Sequence, residues 1–174
     1  MTNFKIKKGS STVNWTGKKA LGLHTGSINV ATGNLEYEDG IIVGGEIEID
    51  MTSIVVTDID DTNTNQEFLN HLLNEDFFSV EKFKHSKLVI TKSTKADNNK
   101  LKIDGILTIK DISHQVSFTA SVEVFTNTLH ALGELVIDRT KYNIRYGSGK
   151  FFENLGDKLI YDDFILQFKI IAEA

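Results

Sequence analysis

Alternation of apolar and polar residues is the feature that most limits what this chain can fold into. Residues 46–51, 101–110, 116–124 and 164–170 each carry apolar side chains at every second position. A β-strand points successive side chains to opposite faces, so this pattern is typical of strands with one dry and one wet face. The sequence therefore predicts an all-β protein with antiparallel strands.

Short polar turns separate these segments, at residues 38–40, 97–99, 111–113 and 126–128. Gly, Asn and Asp form most of them, because the 174 residues include no proline. About eight or nine strands at this spacing indicate a sandwich or a barrel. Short connections favour pairing of sequential strands, and a meander of about eight strands closes most simply into an up-and-down barrel. We expect a single domain over residues 1–174.

One segment departs from the alternation. Between Asp61 and Phe83 the apolar residues fall at helical spacing, which predicts a helical insertion at about residues 62–73. Thr64 and Glu67 have the spacing of a capping box at its start. Aromatic residues follow this helix and recur in the irregular stretch 146–156, where a barrel would have its mouth.

Composition and motifs exclude several functions. The absence of cysteine excludes disulfides and thiolate metal sites, and the net charge of -5, with both signs interspersed, argues against a nucleic-acid partner. No P-loop, dinucleotide fingerprint, nucleophile elbow or metal-ligand spacing of histidines is present, so we expect no cofactor, no metal and no enzyme. No run of apolar residues reaches the roughly 18 that a membrane span needs. The N-terminus lacks a signal peptide, which predicts a cytoplasmic protein, or a periplasmic one if a leader has been removed.

Two polar residues, His24 and Arg139, lie where they could act on a ligand or fix the barrel rim. His24 lies between Gly22 and Gly26, where the backbone can bend. Arg139 directly follows a predicted strand. It either forms a buried charge pair with Asp138 or another acid, fixing the rim of the barrel, or it contacts a ligand.

The interior of such a barrel is open to two interpretations. A barrel of about eight strands is either filled by its own side chains or holds one small ligand. The aromatic residues of the irregular segments favour a mouth, but the residue pattern alone does not choose between the two.

Five parts of the sequence together resemble a known family. The most specific is the segment His71–Phe83, His-Leu-Leu-Asn-Glu-Asp-Phe-Phe-Ser-Val-Glu-Lys-Phe. The others are Thr12–Lys19 with His24–Gly26, Gly44–Ile54, Gly105–Ile112 and Ile137–Tyr142. In these segments, and so over nearly its whole length, the sequence resembles the YceI-like family of polyisoprenoid-binding, lipocalin-like proteins.

This resemblance implies an extended eight-stranded antiparallel lipocalin-like barrel around an elongated apolar tunnel. It implies a long-chain ligand, namely a polyisoprenoid, a quinone or a fatty-acid-like amphiphile, that is bound, stored or transported without catalysis. The predicted ligand-binding residues are Phe68, Leu72, Phe77, Phe78, Phe83, Tyr142, Tyr146 and Phe151 around the entrance, and Trp15, Phe118 and Phe164 in the deeper lining.

Two alternatives stand beside the carrier. One is a structural or interaction module with a filled core that acts as a homodimer. Its basis is a set of apolar residues on the nominally polar strand faces: Ile106, Phe125, Ile165 and Ile171. The other is an enzyme acting on a bound lipid, for which His24 and Arg139 are the only plausible polar groups.

Overall fold

A computed structural model describes all 174 residues and contains nine strands and one α-helix. The bounds in chain order are β1 Thr2–Ile6, β2 Thr12–Lys19, β3 Gly22–Glu38, β4 Ile41–Val56, α1 Thr62–Leu73, β5 His85–Lys95, β6 Lys100–Ile109, β7 Ile112–Phe125, β8 Thr128–Asp138 and β9 Ile160–Glu173.

Strands β2 to β9 form a closed antiparallel meander. Each strand pairs with the next along the chain, and β9 pairs back with β2. The short strand β1 pairs with the far ends of β3 and β9, beyond the reach of β2, so β1 and β2 together occupy one strand position. The predicted eight-stranded antiparallel barrel is therefore confirmed, with one of its strands interrupted at residues 7–11.

The predicted helical insertion is confirmed as α1, but its predicted cap is wrong. The N-cap residue is Asp61, whose side chain accepts hydrogen bonds from the backbone N of Thr64 at 2.9 Å and from Thr64 Oγ1 at 2.7 Å. Thr64 is thus a donor within the first turn rather than the cap, and no capping box with Glu67 forms. An aspartate at this position satisfies amide groups that the helix itself leaves free.

The two ends of the barrel are packed differently. At the end where β1 lies, inward side chains are fully buried in one continuous core: Phe4, Leu35, Ile42, Leu101, Ala120, Leu129, Ala131, Ile170 and Ala172. At the other end α1 and the segment after β8 cover the barrel, and the inward-facing Trp15, Phe164 and Leu166 are only partly buried. The barrel is filled at one end and hollow at the other.

Gly26 allows the strands at the hollow end to approach each other. It lies opposite Trp15 of β2 and Val56 of β4, and a Cβ atom at Gly26 would overlap the Val55 carbonyl oxygen and the Trp15 indole ring. We expect Gly26→Ala to lower the free energy of unfolding by about 1–3 kcal/mol, the usual cost of overpacking. Urea denaturation measures this loss.

Gly9 provides the matched control. A Cβ atom there meets nothing within 4 Å, so Gly9→Ala should change stability by less than about 0.5 kcal/mol. Equal stability of the two variants would show that the close approach at Gly26 is not required.

Candidate functional site

The hollow end contains a cavity of about 290 Å³. It is lined by residues of every strand from β2 to β9 except β7, together with α1, and 18 of its 25 lining residues are hydrophobic. Such a lining gives an apolar ligand a mostly apolar environment and offers few groups for polar recognition.

Six of the eleven predicted ligand-binding residues line this cavity. Trp15 and Phe164 line the cavity from the neighbouring strands β2 and β9, and α1 covers its end. The six are Trp15, Phe68, Leu72, Phe77, Phe78 and Phe164. Whether they contact a ligand stays a prediction.

The other five predicted residues do not line the cavity. Phe118 packs edge-to-face against Phe168, with ring centroids 5.6 Å apart, one layer deeper in the barrel than Leu166. These two rings help to fill the middle of the barrel beyond the cavity, and an elongated tunnel stays a prediction.

The remaining four lie outside the cavity wall. Tyr142 is buried in a separate cluster with Leu107 and Leu135. Tyr146 is exposed and packs against His71 and Phe77, whereas Phe151 is exposed beneath the guanidinium of Arg145. Phe83 is half-buried after α1.

Much of the lining consists of aliphatic strand residues that the sequence analysis did not select. They are the inward positions near the strand ends at the α1 side, and the alternation combined with the barrel topology would have identified them. They include Val13, Ile28, Ile49, Met51, Ile54, Leu107, Ile109, Ile137 and Leu166.

The cavity approaches the surface where β2 and β9 lose their regular pairing. Gly17 pairs with Phe164, but the next pair is Lys19 with Ile160, so three residues of β9 stand against one of β2. The side chains of Lys18, Lys19 and Tyr161, which line the cavity, are also exposed to solvent. The cavity lining therefore reaches solvent at this irregular stretch, which we call the portal.

His24 connects the barrel to the segments that cover the cavity. Its Nδ1 atom lies 2.8 Å from Asp58 Oδ2, and its ring packs on Phe68 of α1 with centroids 4.5 Å apart. Burial raises the pKa of Asp58, but hydrogen bonds from the Thr25 backbone and from His24 outweigh it and leave this pKa below its ordinary value. The His24 side chain is therefore engaged in holding α1 over the cavity.

This contact predicts a pH-dependent contribution to stability. Because the pKa of Asp58 is lower in the folded protein, its contribution is present above the ordinary carboxyl pKa of 3.8 and is lost as pH falls through the folded value. The Asp58 side chain is partly exposed, so we expect the free energy of unfolding of the wild type to exceed that of Asp58→Asn by less than about 1 kcal/mol at about pH 7. The difference should vanish near pH 2, and urea denaturation of both proteins at the two pH values checks this. A constant difference would contradict the assignment.

Arg139 is 4% exposed and anchors the irregular segment between β8 and β9. Its guanidinium donates to three backbone carbonyl oxygens, those of Tyr161, Ile144 and Ile160, at 3.0–3.1 Å. Asp138 is bonded to Thr140 and Lys150, and Arg139 forms its ion pair with another acid, Asp162, 4.0 Å from Arg139 Nη2. Arg139 thus fixes the rim through three carbonyl groups and this charge pair.

The chain has no arrangement suited to hold a metal ion. No group of three or more His, Asp or Glu side chains comes together as a metal site.

No helix is long and apolar enough to cross a membrane. The only buried side-chain nitrogen or oxygen without a hydrogen-bond partner is Trp15 Nε1.

Residues 4–172 match the model of the YceI-like domain family. No curated protein matches the sequence significantly. Among solved structures, BcnA of Burkholderia cenocepacia is similar with a TM-score of 0.77 and 19% identity, over 96% of this chain and 99% of that one.

Two further structures have the same fold. A polyisoprenoid-binding domain from Saccharophagus degradans, implicated in plant cell wall breakdown, is 12% identical with a TM-score of 0.72, over 98% of both chains. The YceI protein of Campylobacter jejuni is 18% identical with a TM-score of 0.63, over 91% of this chain and 84% of that one. At these identities the likeness extends to the fold alone.

Proposed function

The chain belongs to the YceI-like family, a family of binding proteins, and we propose that it binds, stores or transports a long-chain amphiphile in the cavity of its barrel. The observation that carries this proposal is an apolar cavity in a barrel that is otherwise packed. The ligand classes are a polyisoprenoid, a quinone or a fatty-acid-like molecule. The polyisoprenoid-binding domain from Saccharophagus degradans supports a ligand of this kind.

The cavity volume limits how much of the ligand is enclosed. Taking about 30 Å³ for each methylene-sized group, the share of one water in the liquid, the 290 Å³ cavity holds roughly ten chain carbons. A longer chain would extend through the portal beside Lys19 and Tyr161. Burial at about 0.8 kcal/mol per methylene limits the enclosed part to roughly micromolar affinity.

The polar groups of the cavity support binding rather than catalysis. Arg139 is engaged with three carbonyl oxygens, and His24 is paired with Asp58. No nucleophile stands beside either residue within the cavity lining, since Ser86 donates its hydroxyl to the sulfur of Met51. A reaction on the enclosed chain would therefore lack a nucleophile for the His24–Asp58 pair to activate, and we propose that the protein is not an enzyme.

Native mass spectrometry combined with organic extraction of the purified protein tests the binding function. We expect one chain-like molecule per protein, or uptake of one long-chain fatty acid, isoprenoid alcohol or quinone when these are added. Protein that is empty and takes up none of the three classes would contradict the proposal.

The homodimer alternative has one supporting observation. Ile106 is exposed on the outer face next to Val89, its cross-strand partner, and Phe125 is exposed at the packed end. Ile165 and Ile171 are partly buried. Sedimentation equilibrium tests this arrangement. A protein that stays monomeric at high concentration would argue against it, and the cavity itself argues against a completely filled core.

A further inference from the structure

Three segments surround the portal and are joined by backbone hydrogen bonds. The turn between β2 and β3 contacts the start of β9 through the Ala20 amide and the Leu159 carbonyl, 2.9 Å apart. The start of β9 contacts the preceding irregular segment through the Ile160 amide and the Gly147 carbonyl, also 2.9 Å apart. We call residues 18–23, 145–152 and 159–161 together the portal rim.

The portal rim exposes an unusual share of the protein's large apolar side chains. Leu21 is 71% exposed, and Leu23 is more than half exposed. Five aromatic side chains of the protein are exposed, and four of them are in the rim: Tyr146, Phe151, Phe152 and Tyr161. Exposed leucine and phenylalanine side chains gain by inserting their apolar surface at the boundary between water and lipid, and tyrosine adds a hydroxyl that stays in contact with water.

The charge of the rim has the opposite sign to that of the whole protein. The rim contains Lys18, Lys19, Arg145 and Lys150 and no acidic residue, whereas the chain carries a net charge of -5. Lys150 is compensated by Asp138 and Asp162, at 3.2 and 3.7 Å. Lys18, Lys19 and Arg145 form no ion pair and are exposed.

Acidic residues lie close to the rim but outside it. Glu153 and Asp157 follow in the irregular segment, and Asp58 and Asp163 are near the cavity mouth. Asp58 is engaged with His24. The positive side chains therefore stand beside the exposed apolar ones around the same opening, and Asp163 is the one acidic residue of the cavity lining.

We propose that the portal rim docks the protein on an anionic lipid bilayer. Exposed leucine and aromatic side chains enter the headgroup region, and the free cations contact anionic headgroups. Docking in this orientation places the portal against the membrane, so an apolar chain moves between bilayer and cavity without crossing water. The inference goes beyond the proposed function, because docking is measurable whether or not a ligand is bound.

Vesicle flotation measures the docking directly. We expect binding to vesicles of about three parts phosphatidylcholine to one part phosphatidylglycerol, weaker binding to pure phosphatidylcholine, and a loss of affinity as salt screens the charges. Each basic residue at an anionic surface contributes about fivefold to affinity, so Lys18→Glu with Lys19→Glu should weaken binding at least tenfold. Leu21→Ser with Phe152→Ser should weaken binding to both vesicle types by a similar factor.

The packed end supplies matched controls. Phe125 and Lys100 are exposed there, so Phe125→Ser and Lys100→Glu should bind vesicles like the wild type. Circular dichroism confirms folding of each variant. Wild-type protein that does not float with the mixed vesicles, or rim variants that float equally well, would overturn the proposal.

The two proposals fail separately in this design. Leu21 and Phe152 do not line the cavity, so Leu21→Ser with Phe152→Ser should take up a fluorescent fatty acid from solution with wild-type affinity. If Leu21→Ser with Phe152→Ser takes up the fatty acid and also floats with vesicles like the wild type, the docking proposal is overturned and the proposed function stands. Absence of uptake in the wild type overturns the proposed function while flotation still decides the docking.

Discussion

Gly17→Leu is expected to weaken ligand binding roughly a hundredfold while the barrel stays folded. Gly17 lines the cavity beside the portal, and a Cβ atom there would meet nothing within 4 Å. The new side chain would occupy the space of about four methylene groups of the ligand, worth about 3 kcal/mol of transfer free energy. Titration with a fluorescent fatty acid measures the change in Kd.

Gly9→Leu is the control for this substitution. Gly9 is also surrounded by open space but lies outside the cavity, in the turn between β1 and β2. We expect it to leave both ligand affinity and stability unchanged. Wild-type affinity in Gly17→Leu would show that the ligand does not occupy this cavity.

Arg139→Met is expected to lower the free energy of unfolding by about 3–5 kcal/mol, because three carbonyl oxygens each lose a hydrogen bond from a charged donor. The substitution keeps the length and apolar stem of the side chain but removes the donors to the carbonyl groups of Tyr161, Ile144 and Ile160. These buried or partly buried acceptors would lose their charged donor, and the segment that closes the hollow end would detach first. Urea denaturation gives the magnitude.

Arg145→Met separates this effect from a general loss of charge. Arg145 is in the same segment but is exposed, and its guanidinium lies 4.6 Å from the centroid of the Phe151 ring. Such a contact contributes about 0.5–1 kcal/mol at an exposed site. If Arg139→Met cost no more than Arg145→Met, the anchoring role of Arg139 would be wrong.

The fold was predictable because it depends on patterns among residues that are close together in the sequence. Alternation in residues 101–110 and 116–124 defines two strands, and the turn between them is too short for anything but an antiparallel pair. Sequential pairing then leaves closure of β9 on β2 as the way to remove both edges of the sheet. The helix was equally readable, since the spacing of Phe68, Leu69, Leu72 and Leu73 is helical.

The site was only partly predictable because it depends on depth along the barrel. Alternation shows that Phe118 and Phe164 both point inward, but it does not show which of them reaches the cavity. Phe118 meets Phe168 in the filled middle, whereas Phe164 lies nearer the mouth. Tyr142 follows a short turn capped by Asp138 and is directed into another cluster, a geometry that no periodic pattern encodes.

Trp15, the only tryptophan of the chain, lines the cavity and can report directly whether a ligand occupies it. A fatty acid brominated in mid-chain quenches tryptophan fluorescence on contact. We expect one molecule per protein to quench Trp15 at micromolar concentration, and Gly17→Leu to remove the quenching. Binding that leaves Trp15 emission unchanged, or quenching that is equal in Gly17→Leu, would contradict an occupied cavity.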